Sequence, residues 1–334
     1  MELVERQRPI PEPDEALIEV EYAGLCGSDA GIYEFESAFE RMELPTVIGH
    51  EYCGRVVEVG DAVTKFAVGD RVVERPIRGC GDCYQCEIGE ENVCQDAVIT
   101  GVDHDGAYAG YLAVPEDALH PVPDDVPAKH AALVEPTSIA ARAVTENSRV
   151  RAGDRVMVAG PGPIGLLTAQ IADAQGGDVV VAGVGQDANY RLPLAEELGF
   201  ETINVEADDL EQHREALTDG VGYDVVFDTT GHPSGFSMAI DEVRKGGQIV
   251  FVGQTGDTTV QYSRLVRAEI DVQCSYASTY EDFERSLRMM QSGDVDCETF
   301  LDDRFSLLDA DEAFETFLEG GTCKPVFDVS ELRE

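Results

Sequence analysis

Val156-Met157-Val158-Ala159-Gly160-Pro161-Gly162-Pro163-Ile164-Gly165 is a short apolar run that ends in a glycine-rich turn. A helical pattern follows from Ile164 to Ala174, and a second apolar run, Val179-Val180-Val181-Ala182, comes after it. A Gly-x-Gly-x-x-Gly sequence by itself says little. This one follows a strand and opens a helix inside a strand–helix–strand unit, the context that binds a dinucleotide. Gly160 permits the tight turn, Gly162 lets the backbone approach a pyrophosphate, and Gly165 allows the helix to pack closely on the strand. Pro163 and Ile164 stand between them at the helix N-terminus, where free N–H groups suit phosphate. The competing reading is a turn that holds no ligand.

Working outward, Tyr223–Asp228 and Gln248–Gly253 read as further buried strands, with helical segments between them. Strands that alternate with helices imply a doubly wound parallel sheet of Rossmann type. That α/β domain is expected over residues 138–276. Upstream, to about residue 135, short β segments such as Leu17–Tyr22 and Gly54–Gly60 are separated by Gly, Pro and Asp turns. Downstream, a helix is expected over Glu281–Gln291, before a short acidic tail. The length of 334 residues suits two domains. The sequence contains no repeat, low-complexity tract or long linker.

At the end of the second strand stands Gly183-Val184-Gly185-Gln186. An acid there would bind the ribose hydroxyls and repel a 2′-phosphate. Its absence leaves both NAD and NADP open and removes one bar to NADP. Asp187 and Arg191 lie a little further on, and either could reach the adenosine ribose. Arg191 reads equally as a surface residue of the next helix.

Nine cysteines are present, and four of them form Cys80-x2-Cys83-x2-Cys86-x7-Cys94. Four thiolates close a tetrahedral zinc site and leave no open position, so this zinc would be structural. A four-iron cluster also uses Cys-x2-Cys-x2-Cys, but its bacterial form continues with three residues and Cys-Pro. Here the gap is seven residues and Gln95 follows Cys94. Four unligated thiols is the remaining alternative. Cys53, Cys274, Cys297 and Cys323 read as small buried or partly buried residues with no metal role.

Asp and Glu number 66 against 24 Lys and Arg, a net charge of −42. The acids are dispersed, which describes a solvated surface. Such self-repulsion is tolerable where salt shortens the screening length to about 3 Å at 1 M. The expectation is a halophilic protein. The same charge argues against partners such as nucleic acid or an anionic membrane. No apolar run approaches the roughly 20 residues that span a bilayer, and Met1–Arg6 carries no secretory signal pattern. A cytoplasmic setting is expected.

Cys26-Gly27-Ser28-Asp29 and Gly49-His50-Glu51 each join a zinc-ligand type to polar neighbours. With the four-cysteine stretch, Asp105–Tyr111, Leu133-Val134-Glu135-Pro136, the glycine turn and Lys324-Pro325-Val326, they occur in one order along nearly the whole chain. In these motifs the chain resembles the medium-chain zinc alcohol dehydrogenases, in the branch of sorbitol (polyol) and threonine dehydrogenases. The resemblance implies a GroES-like β domain formed by residues 1–137 with 277–334 and carrying two zincs, with the active site in a cleft against the Rossmann domain. It implies Cys26, His50 and Glu135 as ligands of a catalytic zinc, where the alcohol dehydrogenase branch places Cys in the third position. It further implies Glu51 as the acid behind the metal, within reach of it in some relatives. Asp29 would be the acceptor that fixes the His50 tautomer, and Ser28 the hydroxyl that takes the substrate proton. Cys80, Cys83, Cys86 and Cys94 match the structural zinc ligands, and Gly160, Gly162 and Gly165 the cofactor turn.

The implied activity is hydride transfer between a secondary alcohol, polyol or sugar and NAD(P), in a homodimer or homotetramer. L-Threonine 3-dehydrogenase is the alternative enzyme, and a zinc- and cofactor-binding protein without turnover the alternative of another class. Three features depart from the family. Ala30-Gly31 stands where relatives carry the relay histidine; His104 is a candidate replacement, but a lone loop histidine is more often simply solvated. Relatives carry a first β-strand before the segment like Leu3–Arg6 that is not found here, so either the start is misassigned or one edge of the catalytic domain is unpaired. Cys274 stands where relatives often have Gly.

Overall fold

A strand buried on both faces must be apolar throughout, because helices cover it from each side. Val156, Met157, Val158 and Ala159 fit that demand and have 0% exposure. In the computed structural model, which describes residues 1–35, 42–253 and 257–333, they form the strand Arg155–Ala159 at the centre of a six-stranded sheet. Outward on one side lie Asp178–Gly183 and Glu201–Asn204. On the other lie Tyr223–Asp228, Val243–Phe251 and Asp271–Cys274. Every pairing is parallel. The chain runs outward from the centre in one direction, then returns and runs outward in the other. The strand order therefore reverses beside Arg155–Ala159, and such a switch point opens a crevice at the carboxyl ends of the strands.

The helix Pro163–Ala174 begins directly above that crevice and buries Gly165 through Ala172. This compact unit comprises Ile139–Tyr276 together with Ser292–Phe300. The second segment was expected with the other domain. Gln170 pins it, donating from Nε2 to the Asp296 carbonyl at 3.1 Å and accepting the Asp296 N–H at 2.6 Å.

The other unit comprises Met1–Ser138, Ala277–Gln291 and Leu301–Glu334. Its core is the strand Glu15–Gly24, which pairs with three others: Glu51–Val59 on one side, and Tyr111–Pro115 and Lys324–Asp328 on the other. Arg71–Glu74 and Leu119–Pro121 extend the sheet beyond Glu51–Val59, and Leu301–Asp302 extends it beyond Lys324–Asp328. Both ends of the chain thus build one sheet. Residues 1–12 carry no regular secondary structure. Cys274 is exposed on the edge strand of the six-stranded sheet, against the expectation of burial, because that strand has a neighbour on one side only. No helix among the described residues is long and apolar enough to cross a membrane.

His120 fastens the helix Tyr280–Ser292 to this unit. Its ring lies against Tyr280 and Phe283, with centroids 4.3 and 5.1 Å apart, and its Nδ1 is 2.9 Å from Glu284 Oε1. The ring is fully buried, and burial lowers its pKa below 6.5 although Glu284 opposes the shift. The unfolded chain therefore binds the proton first as pH falls. The stability contributed by neutral His120 is present above pH 6.5 and is lost below it. Denaturation midpoints measured from pH 7.5 to 5 should fall less steeply in His120→Phe than in the natural protein. Parallel pH curves would contradict this assignment.

Candidate metal centres and dinucleotide turn

The four-cysteine stretch folds around its own sulfurs. Two-residue strands, Ile77–Arg78 and Val98–Ile99, close its base. Cys83 precedes the short helix Tyr84–Glu87 that contains Cys86, and Cys94 follows the turn Glu91–Val93. The four Sγ atoms lie within 4.8 Å of one another, with Cys83 to Cys86 at 3.5 Å and Cys83 to Cys94 at 3.6 Å. Sulfurs about 2.3 Å from a shared zinc at tetrahedral angles stand about 3.8 Å apart, and disulfide sulfurs about 2.0 Å apart. The spacing fits a metal and not a disulfide. The N–H groups of Cys80 and Asp96 donate to Cys94 Sγ at 3.3 and 3.4 Å. The Cys86 N–H is the main cause that lowers the Cys83 thiol to about 7. Gly79 leaves room for the cluster, since a Cβ there would fall 2.6 Å from Cys86 Sγ.

The second centre is set by sheet register. Gly24, the last residue of Glu15–Gly24, pairs with Glu51, the first of Glu51–Val59. Cys26 lies two residues beyond the first strand and His50 one residue before the second. Their ligand atoms and a Glu51 carboxylate oxygen lie within 4.8 Å of one another. Asp29 is fully buried on the helix Gly27–Tyr33. Its Oδ2 accepts the Cys26 N–H at 3.0 Å and the Tyr108 hydroxyl at 2.9 Å, while Oδ1 stands 3.6 Å from His50 Nδ1. Burial alone would raise the Asp29 pKa, but His50 and these hydrogen bonds outweigh it and hold it below the usual value. Burial likewise opposes a charged His50, and the Asp29 carboxylate outweighs it, so His50 is raised.

Glu51 and Lys324 form an ion pair with both residues 1% exposed, and the Lys324 ammonium also donates to the Leu25 carbonyl at 2.8 Å. Glu135 is buried in the first turn of the helix Val134–Thr145, and burial pushes its carboxyl up to about 7. It stands outside the group formed by Cys26, His50 and Glu51 and has no ion-pair partner among the described residues. Three buried carboxylates and a thiol thus face one lysine and one histidine. A buried surplus of negative charge is costly unless a cation relieves it. A mixed set of sulfur, imidazole and carboxylate donors suits zinc.

In the other unit, Gly160 has φ +100°, and its carbonyl and that of Ala159 lie 3.0 and 2.8 Å from the Thr229 hydroxyl. A Cβ on Gly165 would fall 1.8 Å from the Gly160 oxygen, whereas one on Gly162 would meet nothing within 4 Å. Gly165 is therefore needed for packing, and Gly162 opens onto free space. With Pro163 at the first helical position and no side-chain cap, the first-turn N–H groups of this helix have no side-chain acceptor from the cap residue. The Asp187 carboxylate is occupied by the Val184 N–H at 3.0 Å and lies 3.7 Å from the Arg191 guanidinium. Glu206, from beyond the next strand, reaches the Gly185 N–H at 2.9 Å.

Residues 12–124 match the alcohol dehydrogenase GroES-like domain, and residues 163–292 match the zinc-binding dehydrogenase domain. A sorbitol dehydrogenase from Halalkalibacterium halodurans is 34% identical over 324 residues, covering 96% of this chain and 93% of the relative. The chain belongs to the medium-chain zinc-binding alcohol dehydrogenase family. A second relative of this dehydrogenase, an L-threonine 3-dehydrogenase from Pyrococcus horikoshii, is 33% identical over 332 residues, covering 98% and 94% of the two chains. A zinc-binding dehydrogenase from Sinorhizobium meliloti 1021, solved with NADP bound, has a TM-score of 0.86 at 27% identity, with 96% of this chain and 94% of that one covered. The protein is a zinc-dependent NAD(P) oxidoreductase of alcohols.

The structure of this dehydrogenase gathers most of the residues singled out from sequence. The four lobe cysteines converge, and half-buried Cys26 shares one cluster with buried His50, Glu51 and Asp29. Ser28 is half-buried on the first helical turn beside them. His104 is exposed and contributes its carbonyl, which accepts the Gly101 N–H at 2.9 Å. Arg191 is mostly covered and turned toward Asp187, so it is not a free surface residue. Sequence reading gave no role to Lys324, Tyr108, Thr229 or Glu206. For the first two, the signal was their place inside motifs already quoted.

The glycine geometry separates packing from binding. Gly165→Ala should lower the unfolding free energy by about 1–3 kcal/mol. Gly162→Ala, at φ −73° and with open space around its Cβ, should leave stability within about 0.5 kcal/mol and weaken NAD(P)H binding instead. Denaturant titration and nucleotide fluorescence titration measure the two effects. Equal stability loss in both variants would contradict the reading of the turn.

Proposed function

We propose that this dehydrogenase oxidises a secondary hydroxyl of a polyol or sugar at a zinc held by Cys26, His50 and Glu135. The buried surplus of carboxylate around Cys26 and His50 carries this reading. Glu51 already has Lys324 as counter-ion, so Glu135 is the carboxylate whose burial a metal relieves. Three protein ligands leave a fourth position for a small molecule.

When bound, zinc lowers the pKa of the substrate hydroxyl and nicotinamide accepts the hydride. Ser28 takes the proton. Asp29, held by the Cys26 N–H and Tyr108, orients His50. Cys80, Cys83, Cys86 and Cys94 hold the structural zinc and leave it closed to substrate. Gly160, Gly162, Pro163, Ile164 and Gly165 cradle the pyrophosphate, and Arg191 stands toward the ribose end. The sorbitol dehydrogenase relative supports the substrate class.

The same proposal places the protein in concentrated salt in the cytoplasm, as a homodimer or homotetramer. The net charge of −42 supports the salt, and the open edge strand Asp271–Cys274 supports assembly.

Nicotinamide reduction in molar KCl, across polyols, aldoses, simple alcohols and L-threonine with each nucleotide, tests the substrate class. The highest specificity is expected on a polyol or aldose. Turnover confined to L-threonine or to primary alcohols would overturn it. Glu135→Ala should lose activity and one of two zincs per chain, while Glu51→Gln should keep both. Loss of zinc from Glu51→Gln alone would reverse the two assignments.

A further inference from the structure

One residue touches both the backbone that leads into His50 and the carboxylate that faces its imidazole. Segment 106–108 is laid along 47–49 by three backbone hydrogen bonds, in which Gly106, Ala107 and Tyr108 N–H groups donate to Val47, Gly49 and Ile48 carbonyls at 2.7, 2.8 and 3.0 Å. Gly49, immediately before His50, has φ +94°, and a Cβ there would lie 2.5–2.9 Å from the Tyr108 ring. The ring therefore rests directly on the Gly49 backbone. On its other sides it makes edge contacts with Phe314 and Phe327, at centroid distances of 6.4 and 5.6 Å. A phenylalanine would make every one of these contacts.

The hydroxyl has a different target. It stands 2.9 Å from Asp29 Oδ2 and 3.1 Å from the Gly24 carbonyl. Its single proton goes to the carboxylate, since hydrogen bonds to ionised acceptors are the stronger ones. With the Cys26 N–H on the same oxygen, Oδ2 holds two donors. Oδ1 is a buried oxygen with no hydrogen-bond partner, 3.6 Å from His50 Nδ1.

We propose that Tyr108 is a positioning residue of the catalytic metal centre: its ring seats the Gly49–His50 backbone and its hydroxyl locks Asp29 so that Oδ1 is left to His50 Nδ1. A carboxylate fixed in this way sets which ring nitrogen carries the proton and leaves the other for the metal. The proposal rests on the reading of Cys26 and His50 as zinc ligands.

The test is Tyr108→Phe in the full chain, with zinc retention measured by chelator competition. Outer partners of metal-bound histidines typically contribute 10–100-fold to metal affinity. Tyr108→Phe should weaken one of the two zincs by about that range and leave the four-cysteine zinc unchanged. Cobalt in place of the weakened zinc should give a shifted visible spectrum. Asp29→Asn supplies the second arm: if the hydroxyl acts through Asp29, adding Tyr108→Phe to it should change zinc affinity little further. Wild-type affinity and cobalt spectrum in Tyr108→Phe would overturn the proposal, as would full additivity with Asp29→Asn. A natural protein that binds zinc only at the four cysteines would overturn the reading of the centre itself, and the proposal with it.

Discussion

The pairing of Gly24 with Glu51 is the constraint on which the catalytic half of the molecule depends. A strand register that slips by one residue turns every side chain to the opposite face. Here the register determines that the chain leaving one strand carries Cys26 to the place where the next strand begins with His50-Glu51. Gly24 is part of the fit, because a Cβ there would fall 2.6 Å from a Glu51 carboxylate oxygen. The returning strand Lys324–Asp328 lies along the other edge of the same segment, pairing Gly24 with Val326. It thereby delivers Lys324 to Glu51. One five-residue strand from the far end of the chain supplies the cation that makes the carboxylate tolerable in the core.

How much of this was legible in the sequence follows from how local each requirement is. The dinucleotide turn was readable because its demands fall on single residues: positive φ at Gly160 and no Cβ at Gly165. The four-cysteine lobe was readable because Cys80 to Cys94 fold on their own sulfurs. Cys26, His50 and Glu135 are far apart in sequence; sheet register brings Cys26 to His50, Glu135 comes from a helix, and a single sequence displays neither. Family resemblance, and not spacing, brought them together. Lys324 beside Pro325 read as an ordinary part of a motif, and its near-complete burial comes from the pairing of chain ends. Tyr108 stood inside the motif Asp105–Tyr111 with no role of its own, and its hydroxyl has a purpose only once Asp29 is seen beside it. Cys274 was misjudged because strand position, central or edge, depends on topology.

The charge of −42 organises the fold as well as the surface. With so few cations, several are placed where carboxylates leave water. Glu21 receives both Arg55 and Arg71 at 2.9 Å, Arg214 meets Glu242, which is 3% exposed, and Lys324 meets Glu51. Others stand in exposed pairs, among them Arg8 with Glu58 and Arg155 with Asp178, and such pairs contribute roughly 0–1 kcal/mol. With 66 acids against 24 cations, most exposed acids are left to solvent and counter-ions, and their mutual repulsion is what salt screens.

The central claim is that Cys26 and His50, brought together by sheet register, hold a metal distinct from the one in the cysteine lobe. Anomalous diffraction at the zinc edge from crystals of the purified protein tests it most directly. Two peaks per chain are predicted, one among Cys80, Cys83, Cys86 and Cys94, and one in contact with Cys26 Sγ, His50 and the Glu135 carboxylate. A single peak confined to the cysteine lobe, in protein that turns over substrate, would contradict the account.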